Sequence, residues 1–141
     1  MNPIDLTFEE KVEQVTKANR IPSGQGFNFL RFQEIGLHQI VQRTGNVLAN
    51  AVRSQGLDLE YVAAFTDRIN EGRYFFTYEQ PVVKPLGIKN EKGEDLFGLI
   101  CGEHRLGGHK GAKRPTMFCG VGEFDSEEDE MIFQSNENDE D

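Results

Sequence analysis

The stretch from Leu96 to Val121 limits the folds open to this chain more than any other. It sets two short apolar runs around a glycine-rich, basic one: LFGLIC, then GEHRLGGHKGAKR, then PTMFCGV. Apolar runs of this length bounded by Gly and Pro read as strands, and Gly102 to Ala112 reads as a tight turn entering a short helix. Backbone N–H groups at a helix start have no intrahelical partner and lie at the positive end of the dipole, so a phosphate placed there meets several donors. Gly102 lets the chain approach closely, Arg105 can add a bidentate contact, and Lys110, Lys113 and Arg114 bring further positive charge. The same pattern also serves plain packing of strand on helix. A Walker A loop is excluded, because Gly102 and Gly107 have the outer spacing but no Lys and hydroxyl follow.

Around this unit the periodicity predicts further elements. Thr7 and Glu10 form a capping-box pattern, with Phe8, Val12 and Val15 on one face of a helix ending near Arg20. Pro22, Ser23, Gly24 and Gly26 break it, and Phe27, Phe29, Leu30 and Phe32 suggest a strand whose alternation slips once. A short helix is expected between Asn46 and Gln55. A longer one starts at the cap Asp58, buries Val62, Phe65, Thr66 and Ile69, and stops at Gly72. Gln80 to Leu86 and Leu96 to Cys101 form a hairpin across the polar turn Asn90 to Asp95, Pro115 to Val121 is a further strand, and Asp125 to about Gln134 an acidic helix.

The 141 residues suit one domain that buries roughly two-thirds of its unfolded surface. Its expected parts are an N-terminal helix and linker (1–26), a core (27–124), and an acidic helix and tail (125–141). The charge is unevenly spread. Of the total of −9, the tail from Glu123 onward carries −10, which leaves +1 on residues 1–122. An acidic average would argue against nucleic acid, but the body is neutral with basic clusters. No apolar run approaches the ~20 residues that span a bilayer, and Asp5, Glu9 and Glu10 stand where a signal peptide would be basic. Two cysteines are too few for a disulfide framework, so a reduced, cytoplasmic setting without membrane partners is expected.

The residues GEHRL, in this order of elements, resemble the glycine-Glu-Arg-Arg box of ParB proteins and the glycine-Cys-His-Arg box of sulfiredoxins. Upstream, GLDLEYVAAFTDRINEGRYFFTYEQPVV is similar to the family's helix, glycine turn and Gln-Pro strand, and downstream EEDEMIFQSNENDED resembles its acidic helix ending in Glu-Asn. The resemblance covers roughly residues 56–141. It implies an α/β fold of ParB/sulfiredoxin type, a small mixed sheet with flanking helices and here an added N-terminal helix. It also implies a nucleotide triphosphate, ATP or CTP with Mg2+, held by Gln80, Pro81, Gly102, Glu103, His104, Arg105, Gly107, Gly108 and Lys110. Glu103 and His104 are the implied catalytic residues, and Glu137 and Asn138 the implied metal ligands. The expected activity is triphosphate hydrolysis or phosphotransfer, and the alternative is a ParB-like DNA-binding or nuclease module, with a homodimer compatible with either. Glu103 stands where sulfiredoxins carry their reactive cysteine, so thiol-based peroxiredoxin repair is not expected. Gly107 and Gly108 replace the Arg and Ala of ParB boxes and weaken the helix by about 1 kcal/mol each. No helix-turn-helix follows the box, so centromere binding is not expected either.

Three other constellations compete with structural explanations. Cys101, His104, His109 and Cys119 are four zinc-type ligands, but their spacing matches no common finger and both cysteines fall on apolar strands, which favours buried thiols. His104 is also a candidate phosphate donor or proton-transfer group, whereas His38 and His109 are expected on the surface or in a turn. Phe27, Phe29, Phe32, Tyr74, Phe75, Phe76 and Tyr78 could stack bases, although with only Arg31 or Arg73 nearby in sequence core packing is the expectation. The acidic tail, with Glu127, Glu128 and Glu130, could bind a divalent metal or act as an interaction surface. A solvated helix face is its default.

Overall fold

In a computed structural model of the chain, residues 1–42 and 58–138 are described. The helix expected between Asn46 and Gln55 lies outside them. Strands β1 (Phe27–Gly36), β2 (Ile40–Val41), β3 (Val82–Lys89), β4 (Asp95–Cys101) and β5 (Thr116–Phe124) form one mixed sheet in the order β1-β5-β3-β4-β2. Helices α1 (Phe8–Lys17), α2 (Leu59–Asn70), α3 (Glu103–Gly111) and α4 (Glu127–Asn138) flank it.

Local chemistry explains the element ends. The α1 capping box is complete: Glu10 N–H donates to Thr7 Oγ1 at 3.2 Å and Thr7 N–H to Glu10 Oε1 at 3.0 Å. The helix ends at Lys17, before Arg20, because Asn19 turns left-handed at φ 56°. Asp58 caps α2 by accepting from the N–H groups of Glu60 and Tyr61. In the β3–β4 hairpin, Asn90 Oδ1 accepts from the N–H groups of Lys92 and Glu94, and Gly93 supplies the positive φ of the turn.

β1 pairs antiparallel with β5 from Phe27 opposite Phe124 to Gly36 opposite Thr116, and its register shifts between Phe29 and Arg31. That bulge is the slip in alternation, and it leaves Leu30 exposed. β5 continues to Phe124, past Val121, because β1 pairs with it over that length. β3 joins the sheet parallel to β5 and antiparallel to β4, and α3 carries the chain from the end of β4 to β5 on the other side of β3.

Alternation along β5 sends its side chains to different packing groups. Met117, Cys119 and Val121 join Val83, Leu99 and the α3 residue Leu106, whereas Phe118 joins Val15, Phe32, Ile69, Tyr74 and Phe76. Phe133 of α4 closes a third group over Phe27, Val82 and Ile100. Both cysteines are buried as free thiols. Among the described residues no group of three or more His, Cys, Asp or Glu could hold a metal ion, which removes the four-ligand zinc arrangement. Also among them, no helix is long and apolar enough to cross a membrane.

Candidate functional site

The site begins where β4 hands over to α3. Gly102 caps α3 in a left-handed conformation at φ 102°, and a Cβ there would lie 2.8 Å from Pro81 Cβ. Only glycine satisfies both constraints. Pro81, itself fully buried, accepts from Gly120 N–H at 2.9 Å and so ties the start of β3 to β5 directly beneath Gly102. Gln80, Pro81 and Gly102 are therefore brought together.

His104 is buried at the start of α3. Its Nε2 accepts from Asp58 N–H at 3.1 Å, which puts the proton of the neutral ring on Nδ1, and the Tyr61 ring packs 5.3 Å away. The imidazole thus fastens the beginning of α3 to that of α2, and any proton it moves must pass through Nδ1. Further along, a Cβ on Gly107 would lie 3.0 Å from Val62 Cγ1, and one on Gly108 2.5 Å from Phe65 Cβ. These glycines form the seam of two parallel helices and do not face an open loop. His109, expected at the surface or in a turn, is instead 1% exposed, donating from Nδ1 to the Arg105 carbonyl at 2.7 Å with its ring edge-on to Tyr74. Lys110 is exposed in the last turn, at the opposite end of α3 from Gly102. Arg114 is held by Asp5 at 2.6 Å.

Arg105 lines a cleft of about 530 Å³ beside that seam. Three more arginines line the same space: Arg20 from the segment after α1, Arg68 from α2 and Arg73 from the loop before β3. The guanidinium groups of Arg68 and Arg105 lie 5.1 and 5.3 Å from the Phe65 ring centre. Arg73 pairs with Glu71. Tyr74, Phe75 and Tyr78 complete the aromatic part of the lining, and Glu79 brings a carboxylate to it. Phe75 and Tyr78, expected in the core, are 41% and 53% exposed, because the extended segment alternates Tyr74 and Phe76 inward with Phe75 outward. The Tyr74 hydroxyl is buried with no hydrogen-bond partner among the described residues, and burial pushes its pKa well above the ordinary range, so it stays a neutral donor.

A smaller chamber of about 150 Å³ adjoins the cleft and shares Arg20 and Glu79 with it. Gln80 forms part of its wall. The Gln80 amide donates from Nε2 to the Tyr78 carbonyl at 2.7 Å, while its buried Oε1 has no partner among the described residues. Glu103 is half-buried in the first turn of α3, and Glu137 and Asn138 lie in the last turn of α4 with side chains outside the described residues. Sequence reasoning missed Arg20 and Arg68, and it weighed Phe75 and Tyr78 as base-stacking rings but expected them in the core. Arg73 was in view, but nothing local marks the others as one group.

No family model and no curated protein matches the sequence. Among solved structures, sulfiredoxin from Arabidopsis thaliana is similar at 18% identity over 65% of this chain and 84% of that chain, with a TM-score of 0.44. The C-terminally truncated chromosome-partitioning protein ParB from Caulobacter crescentus, complexed with CTP-gamma-S, superposes with a TM-score of 0.57 at 12% identity. The chain has a ParB/sulfiredoxin-like fold. The ParB match covers 79% of this chain and 54% of the ParB chain, so this protein spans about half of that one's length. In this sheet GEHR occupies the β4–α3 junction and QP the entry to β3.

Proposed function

We propose that the protein binds a nucleoside triphosphate in the arginine-lined cleft and acts on it as a hydrolase or phosphotransferase. The observation that supports this best is the convergence of Arg20, Arg68, Arg73 and Arg105 on one cavity that also holds Phe75 and Tyr78. Guanidinium forks match phosphate oxygens two at a time, and a flat aromatic face accepts a nucleobase whatever its edge chemistry. The cavity volume falls within the range of small-molecule sites.

In this proposal Arg105 takes the phosphates nearest the first turn of α3, while Arg68 and Arg73 neutralise the remaining charge and an exposed ring carries the base. Phosphoryl transfer needs little covalent work from the protein beyond positioning and charge stabilisation, which arginines provide. Glu103 and the Nδ1 side of His104, both in the first turn of α3 beside Arg105, are the groups assigned to orient a nucleophile. Because no metal-ligand cluster occurs among the described residues, no step is assigned to Mg2+. The related fold crystallised with CTP-gamma-S makes CTP and ATP the first nucleotides to test. Thermal-shift titrations with ATP, CTP and GTP should raise the melting temperature for at least one of them, since a ligand at 100 times its Kd adds about 2.7 kcal/mol to the folded state. Release of inorganic phosphate would then separate turnover from binding.

The second reading is a DNA-binding or nuclease module, favoured by the exposure of Phe75 and Tyr78 beside the arginines. A short single-stranded oligonucleotide that binds with steep salt dependence, with no triphosphate shifting the melting temperature, would select it.

A further inference from the structure

Arg20 stands apart from the other three arginines of the cleft in where it comes from and how it is held. It is supplied by the segment that joins α1 to β1, ahead of the sheet. Its Nε donates to the Thr77 carbonyl at 3.3 Å, which fixes the plane of the guanidinium. Its Nη1 lies 3.7 Å from Glu79 Oε1, a distance that makes an ion pair but not a hydrogen bond. Both side chains are nearly half exposed, at 46% and 42%, so water screens the pair and it is weakly held. The terminal nitrogens of Arg20 thus face a carboxylate they do not grip, at the wall shared by the cleft and the smaller chamber.

We propose that Arg20 is an anion-binding residue of the cleft and that Glu79 is its resting partner, exchanged for a phosphate of the ligand on binding. The inference rests on the triphosphate reading of the cleft and adds a residue and a regulatory element to it. Nε can keep its bond to Thr77 while the outer nitrogens of the rigid guanidinium take the phosphate and the Glu79 side chain moves aside. A phosphate offers them short, charge-assisted hydrogen bonds in place of a long ion pair. Glu79 therefore competes with the ligand for Arg20, and the carboxylate lowers affinity for as long as it holds the guanidinium. A consequence is that the segment from Asn19 to Ser23, which lines the smaller chamber, is drawn to the bound anion and orders the wall beside Gln80.

The test is a double-mutant cycle on the full chain, with ATP, CTP and inorganic tripolyphosphate as separate probes. Titration calorimetry at low salt would compare wild type, Arg20→Ala, Glu79→Gln and the double variant, with unliganded melting temperatures confirming that each is folded. Arg20→Ala should weaken tripolyphosphate and nucleotide alike by about 10-fold, and Glu79→Gln should tighten them by about 3-fold or more. In the Arg20→Ala background the Glu79→Gln gain should largely vanish, and Arg20→Lys should recover part of the loss. If Glu79→Gln tightens binding equally with and without Arg20, the carboxylate acts by plain repulsion and the exchange is overturned. If Arg20→Ala weakens nucleotides but leaves tripolyphosphate unchanged, the contact is not to the anion. Wild-type affinity in Arg20→Ala alongside loss in Arg105→Ala would overturn the role of Arg20 alone, whereas a wild type that binds none of the three probes overturns the cleft reading and this inference together.

Discussion

His109 carries its proton on the nitrogen that meets the Arg105 carbonyl, and burial pushes its pKa from 6.5 down to about 4. Above pH 6.5 the ring is neutral in both folded and unfolded chains and costs nothing. Between about 6.5 and 4 the unfolded chain takes up a proton that the folded one refuses, so stability falls as pH falls through that window, by roughly 3 kcal/mol in total. The variant His109→Asn keeps an amide donor near the same carbonyl and cannot titrate. Its melting temperature should decline less than that of the wild type between pH 6.5 and 4, and parallel declines would contradict the assignment. His104, five residues earlier, has its Nε2 occupied by the Asp58 amide, so its first duty is to hold two helix starts together. The basic residues expected around it divide in the same way. Arg105 reaches the cleft, Lys110 lies at the far end of the helix, and Arg114 is spent on Asp5.

At the scale of elements, the α2–α3 seam determines how the site is built. Gly107 and Gly108 should weaken an isolated helix, and their use in α3 is explained by the close approach of α2, through the Val62 side chain at Gly107 and through Phe65 and the Thr66 amide at Gly108. Gly108→Ala would gain helix propensity yet place a methyl group against Phe65 and the Thr66 amide, so a net loss of roughly 1–3 kcal/mol is expected in denaturant unfolding. An unchanged or raised stability would mean that the helices separate easily. The sequence made the helix starts legible because caps are local: Thr7 with Glu10, Asp58, and Gly102 each announce a helix start through their own chemistry. The slip at Leu30 was equally local. The depth of His109 was not, because it depends on Tyr74 and on the closeness of α2, contacts that no spacing within GEHRLGGHKG encodes. The same limit applied to Phe75 and Tyr78, whose outward placement follows from which neighbours Tyr74 and Phe76 find inside.

For the whole molecule, the central fact is a cationic cavity on an acidic chain. The −10 of the C-terminal tail conceals it in the total charge, and the arginines that build it come from four separate parts of the chain. Of this site, the β4–α3 junction and Arg105 could be read from residue order, since a glycine turn between strand and helix is a recognisable unit. The cleft itself could not, because it exists only once α2, the post-α1 segment and the Arg73–Glu79 stretch are folded around Phe65 and Tyr74. Charge complementarity of this kind should favour ligands in order of their negative charge, and the preference should weaken as salt rises. The most direct measurement is calorimetric titration of CTP and CMP, and of ATP and AMP, into wild type and Arg105→Ala. The account predicts that at least one triphosphate binds the wild type at least ~10-fold more tightly than its monophosphate, and that Arg105→Ala loses ~10- to 100-fold of the triphosphate affinity, the value of one or two charge-assisted hydrogen bonds. Equal affinities for mono- and triphosphate, or triphosphate binding untouched by Arg105→Ala, would contradict it.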